Sequence, residues 1–207
     1  MVFTQPPNII MIMADQLAAP ALPCYGHPLV KTPHLDALAR GGVVFENAYC
    51  NSPLCAPSRA SLMTGQLPSR LGVYDNAAGF PSDTPTIAHH LRAAGYSTCL
   101  AGKMHFVGPD QLQGFETRLT TDIYPADYGW TPDWENFAQR PSWYKNMLSV
   151  VQAGVCVTSN QLDYDEEVGY HTIRYIHDLA RREDRRPFFF FFFLTYAHDP
   201  YPITQAY

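Results

Sequence analysis

A chain of 207 residues, 46% hydrophobic and 16% charged, is long enough for one domain with a core. Its net charge of −5, with no stripe of Lys and Arg, argues against nucleic acid as a partner, and no run approaches the roughly 20 apolar residues of a membrane span. Five cysteines at irregular positions (24, 50, 55, 99 and 156) suggest neither a disulfide framework nor a zinc knuckle and, with no secretory signal apparent, fit a reducing cytoplasm.

The first element is the unbroken apolar run Asn8–Ala14, of strand length and suited to a parallel strand buried on both faces. Asp15 follows at its carboxyl end, where a carboxylate is placed to bind a hard cation; the alternative is an aspartate that caps a turn. Leu35–Arg40 reads as a helix and Val43–Ala48 as a second strand. A helix then begins near Cys55, with Pro57 suited to a first helical position because it has no N–H to lose. Cys55 would sit at the positive end of that helix, where free N–H groups favour an anion. Arg59, one turn on, adds a planar cation suited to oxyanions. The alternative for Cys55 is a buried cysteine acting as a small hydrophobe.

Thr86–Ala94 reads as an amphipathic helix closed by Gly95, and Tyr96–Ala101 as a short buried strand. Lys103 and His105 come next, and alternation puts both on one side if the chain stays extended. Residues 106–160, rich in Pro, Trp and Tyr, form a long irregular segment of the kind that serves as a functional loop. Glu166–Arg181 is expected as a helix, with the mixed charges of Arg181–Arg186 as its solvated end. Pro187–Leu194 is a strand, and the run Phe188–Phe193 requires a deeply buried central place. Thr195–His198 leads out of it. Strands alternating with helices predict a mostly parallel sheet with helices on both faces, and Asp15, Cys55, Arg59, Lys103, His105 and His198 all fall at its carboxyl edge.

Two stretches also carry a family resemblance. Cys55-Ala56-Pro57-Ser58-Arg59 followed by Leu62-Met63-Thr64-Gly65 resembles the first signature of the sulfatases, and Gly95 to Gly102-Lys103-Met104-His105 resembles the second. The likeness continues through Tyr25-Gly26-His27, Lys31-Thr32-Pro33, Tyr74–Ala78, Phe106–Gln111 and Thr120–Asp127, which are most similar to the bacterial choline-sulfatase branch. It runs from about Asn8 to the last residue. The chain departs from the pattern at Gln16, where most sulfatases carry a second aspartate, and at Gly79, where a glutamate is expected. It departs again at Tyr196 and Ala197, where histidine and proline are expected.

The resemblance implies an α/β fold: an alkaline-phosphatase-like sandwich with a mostly parallel central sheet flanked by helices, here truncated. Residues 1–207 are then the amino-terminal portion of a sulfatase catalytic domain, without its carboxyl-terminal part. The implied activity is hydrolysis of a sulfuric ester, choline sulfate in particular. The implied nucleophile is formylglycine made from Cys55 by a formylglycine-generating enzyme. Its hydrated aldehyde attacks the sulfur, and a metal and Arg59 stabilise the alkoxide. Lys103 neutralises the sulfate oxygens, His198 assists the departing alcohol, and His105 takes the proton that lets sulfate leave. The metal is divalent, calcium foremost with magnesium or manganese as alternatives, held by Asp15, position 55 and Gln16. Its remaining ligands are not found in this chain. Trp130 matches a position lining the choline pocket, since a quaternary ammonium prefers aromatic faces; Asn76 is a second substrate candidate.

The full-length form is expected to be a homo-oligomer, and composition points to neither a membrane nor a nucleic-acid partner. The isolated chain is expected to be poorly soluble and catalytically silent. Three alternatives stay open: a phosphonate or phosphate monoester hydrolase of the same superfamily, an inactive fragment that only binds, and an enzyme using Cys55 as a plain thiol.

Overall fold

The computed structural model describes residues 6–131, 133–136, 138 and 147–205. In chain order its elements are β1 (Ile9–Ala14), α1 (Pro33–Gly41), α2 (Cys55–Thr64), α3 (Pro68–Leu71), α4 (Ile87–Ala93) and β2 (Ser97–Gly102), then β3 (Thr117–Arg118), α5 (Leu148–Val151), β4 (Gly154–Val155), α6 (Asn160–Arg181), β5 (Phe188–Leu194) and β6 (Pro202–Ile203). β1, β5, β2 and β3 form a four-stranded sheet in that order, and every pairing in it is parallel. A small parallel pair, β4 and β6, stands apart.

The phenylalanine run takes the central place that its composition demands. β5 lies between β1 and β2, with Phe190 opposite Ile10 on one side and Cys99 on the other. Successive side chains point to opposite faces, so each face receives alternate rings. Phe189, Phe191 and Phe193 pack with Ala60 and Met63 of α2, Ala88 of α4, and Phe106 and Phe115. Phe190 packs on the other face with Cys99, Ala101, and Tyr164 and Val168 of α6. Burying each such ring contributes about 2–3 kcal/mol. The sheet is therefore covered by α2 and α4 on one face and by α6 on the other. β1 is less completely covered: Ile10 and Ile12 are 47% and 57% exposed.

Several elements differ from their expected form. Val43–Ala48 is irregular rather than a strand, with Val43 and Phe45 78% and 71% exposed. A strand needs a neighbour to satisfy its backbone, and among the described residues none pairs with this run. Pro57 is the third residue of α2, not the first, because Leu54 is the cap and its carbonyl accepts from Ser58 N at 3.0 Å. Its missing N–H still falls within the first turn, where it costs no helical bond. α6 starts at Asn160, six residues before the expected Glu166, because Ser159 caps it, its side chain accepting from Leu162 N at 3.2 Å. Arg182 is not simply solvated. It donates to Ser97 Oγ at 3.0 Å and to Arg186 O at 2.8 Å, pinning the end of α6 to β2. The segment 106–160 is largely irregular as expected, and residues 132, 137 and 139–146 of it lie outside the described residues.

Candidate active site

β1, β2 and β5 run in parallel, so their carboxyl ends open on one edge, and α2 begins there too. Asp15 leaves β1 and is 4% exposed. Its Oδ1 accepts from Arg59 Nη2 at 2.7 Å, and its Oδ2 accepts from Lys103 Nζ. Burial works to raise the Asp15 carboxyl, but the cations of Arg59 and Lys103 outweigh it and hold the group below the usual carboxylate range. Its backbone is pinned as well: Asp15 N donates to Leu194 O at 3.0 Å, and Ala197 N donates to Asp15 O at 2.9 Å.

Cys55 opens α2 beneath these cations. Lys103 Nζ stands 3.6 Å from its Sγ, and Arg59 Nη1 donates to its carbonyl at 3.1 Å. The Arg59 guanidinium rests over the Phe193 ring, 4.5 Å from its centroid. Asn76 Oδ1 accepts from Ala56 N at 2.9 Å, so this expected substrate residue spends its oxygen on the first turn of α2.

β2 ends at Gly102, whose φ of +93° suits glycine, and any Cβ there would collide with the Phe193 carbonyl. The chain does not stay extended beyond it, since His105 has a φ of 55°. Lys103 and His105 reach the same side-chain cluster, around Tyr124, through this tight turn rather than through strand alternation. Lys103 is fully buried, its ammonium 4.3 Å from the Tyr124 ring centroid. His105 is 2% exposed, its ring 4.9 Å from that of Tyr124 and 5.1 Å from that of Trp130. Burial pushes the His105 imidazole down to about 4, against the pull of Asp122 and with help from Lys103 and Arg59.

The turn is held by Asp122. Its Oδ2 accepts from Met104 N at 2.8 Å and from His105 N at 2.7 Å, and its Oδ1 accepts from Tyr124 N at 3.2 Å. Tyr124 and Trp130 stand 5.1 Å apart, edge to face, and the Tyr124 ring lies 6.3 Å from that of His198. His198 is 7% exposed, with Nδ1 2.7 Å from Asp199 O and 3.0 Å from Asp199 Oδ1. Its loop is fastened by Asp165 of α6, which accepts from Thr195 N at 2.7 Å and Tyr196 N at 2.9 Å.

The structure thus brings Asp15, Cys55, Arg59, Lys103, His105, His198 and Trp130 to one place. Gln16 is exposed and its amide donates to Tyr201 Oη at 3.0 Å. A carboxylate oxygen of Asp15, Cys55 Sγ and an imidazole nitrogen of His198 lie within 4.8 Å of one another, a spacing that fits a cation. The donor set fits a hard divalent ion only in part: such an ion takes six to eight oxygens, and this group offers one carboxylate. Tyr124, Asp122 and Asp165 escape sequence reasoning. The first two sit in the Thr120–Asp127 stretch, which carries no period, and Asp165 falls one residue before the expected start of its helix.

At Gly79, where a glutamate was expected, Tyr128 fills the space: its Oη would lie 3.3 Å from an added Cβ. No helix among the described residues is long and apolar enough to cross a membrane.

Comparison with known proteins agrees with this geometry. Residues 7–207 match the Sulfatase family. The chain is 54% identical over 202 residues to a choline-sulfatase of Rhizobium meliloti (strain 1021), covering 96% of this chain and 40% of that protein. It is 44% identical over 137 residues to human arylsulfatase A, covering 60% of this chain and 27% of the relative. Among solved structures, a phosphonate monoester hydrolase of Agrobacterium radiobacter superposes with a TM-score of 0.67 at 23% identity, over 97% of this chain and 43% of the other, a likeness of fold. The chain spans less than half the length of each of these proteins.

Proposed function

The chain belongs to the sulfatase family, and we propose that it is the amino-terminal portion of a catalytic domain that hydrolyses a sulfate ester, choline sulfate foremost. The observation that carries this reading is the convergence of two buried cations, Arg59 and Lys103, on Asp15 and Cys55. A cysteine beneath two cations at a helix start is a cradle for a tetrahedral oxyanion held against a nucleophile. Converted to formylglycine by its generating enzyme and hydrated by water to a gem-diol, position 55 supplies a hydroxyl to attack sulfur. Lys103 faces the sulfate oxygens. His105, neutral at pH 7 because burial lowers it to about 4, can accept a proton at a ring nitrogen. His198, its ring 6.3 Å from that of Tyr124, gives a proton to the departing alcohol oxygen on this reading.

Asp15 and position 55 would hold a divalent cation, calcium foremost with magnesium or manganese as alternatives, which supplies charge at the reacting oxygens. Gln16 would join them only if its amide turned from Tyr201. Such an ion takes six to eight oxygens, so on this reading its further ligands come from elsewhere in the domain. The partly bare face of β1 supports the same view, that further polypeptide of the domain packs there. The cytoplasm and a homo-oligomer are the compartment and state that go with this reading.

Choline sulfate is favoured by the aromatic wall of Trp130 and Tyr124 beside the cations, since a quaternary ammonium is drawn to ring faces. The identity to a choline-sulfatase supports it. The competing reading is a phosphonate or phosphate ester, because the same cations accept either anion. The test compares kcat/KM for choline sulfate, a neutral aryl sulfate and a phosphate monoester in the full-length protein, after mass spectrometry of the Cys55 peptide. Trp130→Ala should raise KM for choline sulfate about 5- to 30-fold, the equivalent of roughly 1–2 kcal/mol, and leave the aryl sulfate nearly unchanged. Equal effects on both esters, or a preference for phosphate, would overturn the choline assignment. An intact thiol in an active enzyme would overturn the formylglycine.

A further inference from the structure

We infer that Asp122 is a positioning residue of the proposed reaction, setting Met104, His105 and Tyr124 in place through their backbone and, through the Tyr124 ring, the Lys103 ammonium. This rests on the sulfate-ester reading, and on four hydrogen bonds that meet at one carboxylate. Oδ2 takes Met104 N, His105 N and Arg118 Nη2 at 2.8, 2.7 and 2.8 Å, and Oδ1 takes Tyr124 N at 3.2 Å. The Asp122 side chain is only 4% exposed, so this is not a surface capping contact.

The turn it holds is one that the chain would not adopt unaided. His105 is a non-glycine residue at a φ of 55°, in the region that L residues seldom occupy. Two consecutive N–H groups aimed at one carboxylate oxygen compensate that conformation. Arg118 fixes Asp122 in turn. Its remaining N–H groups donate to Gly102 O at 3.2 Å, Thr120 O at 3.0 Å, and Gln111 O and Oε1 at 3.0 and 2.9 Å. The arrangement is a buried ion pair whose polar partners are satisfied, which suits register and placement more than bulk stability. Tyr124, whose ring carries the Lys103 ammonium on its face, is tied to the same carboxylate. One side chain therefore sets the distance between the proton acceptor, the sulfate-facing cation and the aromatic wall.

The experiment uses the full-length protein carrying these residues, with choline sulfate and an aryl sulfate as substrates. Asp122→Ala should lower kcat about 100-fold, the loss expected when a reacting group moves by about 1 Å, with KM changed far less. The assay is run where circular dichroism shows the variant folded. Asp122→Asn keeps an oxygen for Met104 N and His105 N but offers no acceptor to Tyr124 N, so its kcat should lie between the two. NMR of the His105 ring protons gives a readout independent of turnover. Ring currents from Tyr124 and Trp130 shift these signals, and in Asp122→Ala they should move toward those of an exposed histidine. Wild-type kcat with unmoved His105 signals in Asp122→Ala overturns the inference, as does an Asp122→Asn protein as impaired as Asp122→Ala. If the unsubstituted protein turns over no sulfate ester, the functional reading fails, and the His105 signals alone decide the role of Asp122.

Discussion

Where β2 ends, the chain turns at once through Gly102 and a left-handed His105, and a loop residue, Asp122, accepts two successive backbone N–H groups to hold it. Where β5 ends, Thr195 and Tyr196 donate in the same way to Asp165, which stands on α6. Each exit delivers one histidine to the neighbourhood of Tyr124. The supports differ in what sustains them. Asp122 is paired with Arg118, so its charge is compensated locally. Asp165 is fixed by helix geometry, and burial raises its carboxyl while the bonds from Thr195 and Tyr196 pull it down. A carboxylate can thus organise a loop either through a cation partner or through a rigid helix. Tyr164 joins the two supports: it neighbours Asp165 on α6, and its hydroxyl donates to Thr121 O at 2.8 Å, next to Asp122.

The sharpest way to break the β2 exit is Gly102→Ala. The added Cβ meets the Phe193 carbonyl at a φ of +93°, so we expect a loss of about 4 kcal/mol or failure to fold, read by urea unfolding. A variant within about 1 kcal/mol of the parent would show that this exit does not depend on the close approach.

The β5 exit should be weakened less by Asp165→Ala, by about 2 kcal/mol, as the part-buried Thr195 N and the more exposed Tyr196 N lose their acceptor. Asp165→Asn should recover part of that and also change the pH response. The Asp165 carboxyl titrates above its ordinary value of 3.8 in the folded chain, so the folded state binds that proton more tightly than the unfolded state. The group therefore weakens the fold as pH rises from 3.8 through its folded value, and has no such effect below. Stability of Asp165→Asn relative to the parent should improve over that interval, and a difference that stays constant with pH would refute the assignment. The smallest effect is expected for Tyr164→Phe, about 1 kcal/mol for one hydrogen bond. A double-mutant cycle with Asp165→Asn that shows no coupling would separate the two exits energetically.

Elements with a strong local signature were legible in the chain. The Asn8–Ala14 and Phe188–Phe193 runs announced parallel strands, because unbroken apolar runs of strand length have few other homes, but only the second is buried: β1 takes the edge of the sheet, with Ile10 and Ile12 exposed. Asp15, Cys55, Lys103, His105 and His198 were legible as strand or helix ends, where an α/β sheet collects its ligands. Other features depended on partners far along the chain. Val43–Ala48 has the composition of a strand, yet pairing is a property of two segments and none of the described residues supplies the second. Asp122 looks like any loop aspartate until Gly102, Arg118 and His105 fold around it. Local pattern specifies which face of an element is buried. Which carboxylate satisfies which distant N–H is decided only when the chain closes, because that bond links residues that no sequence period relates.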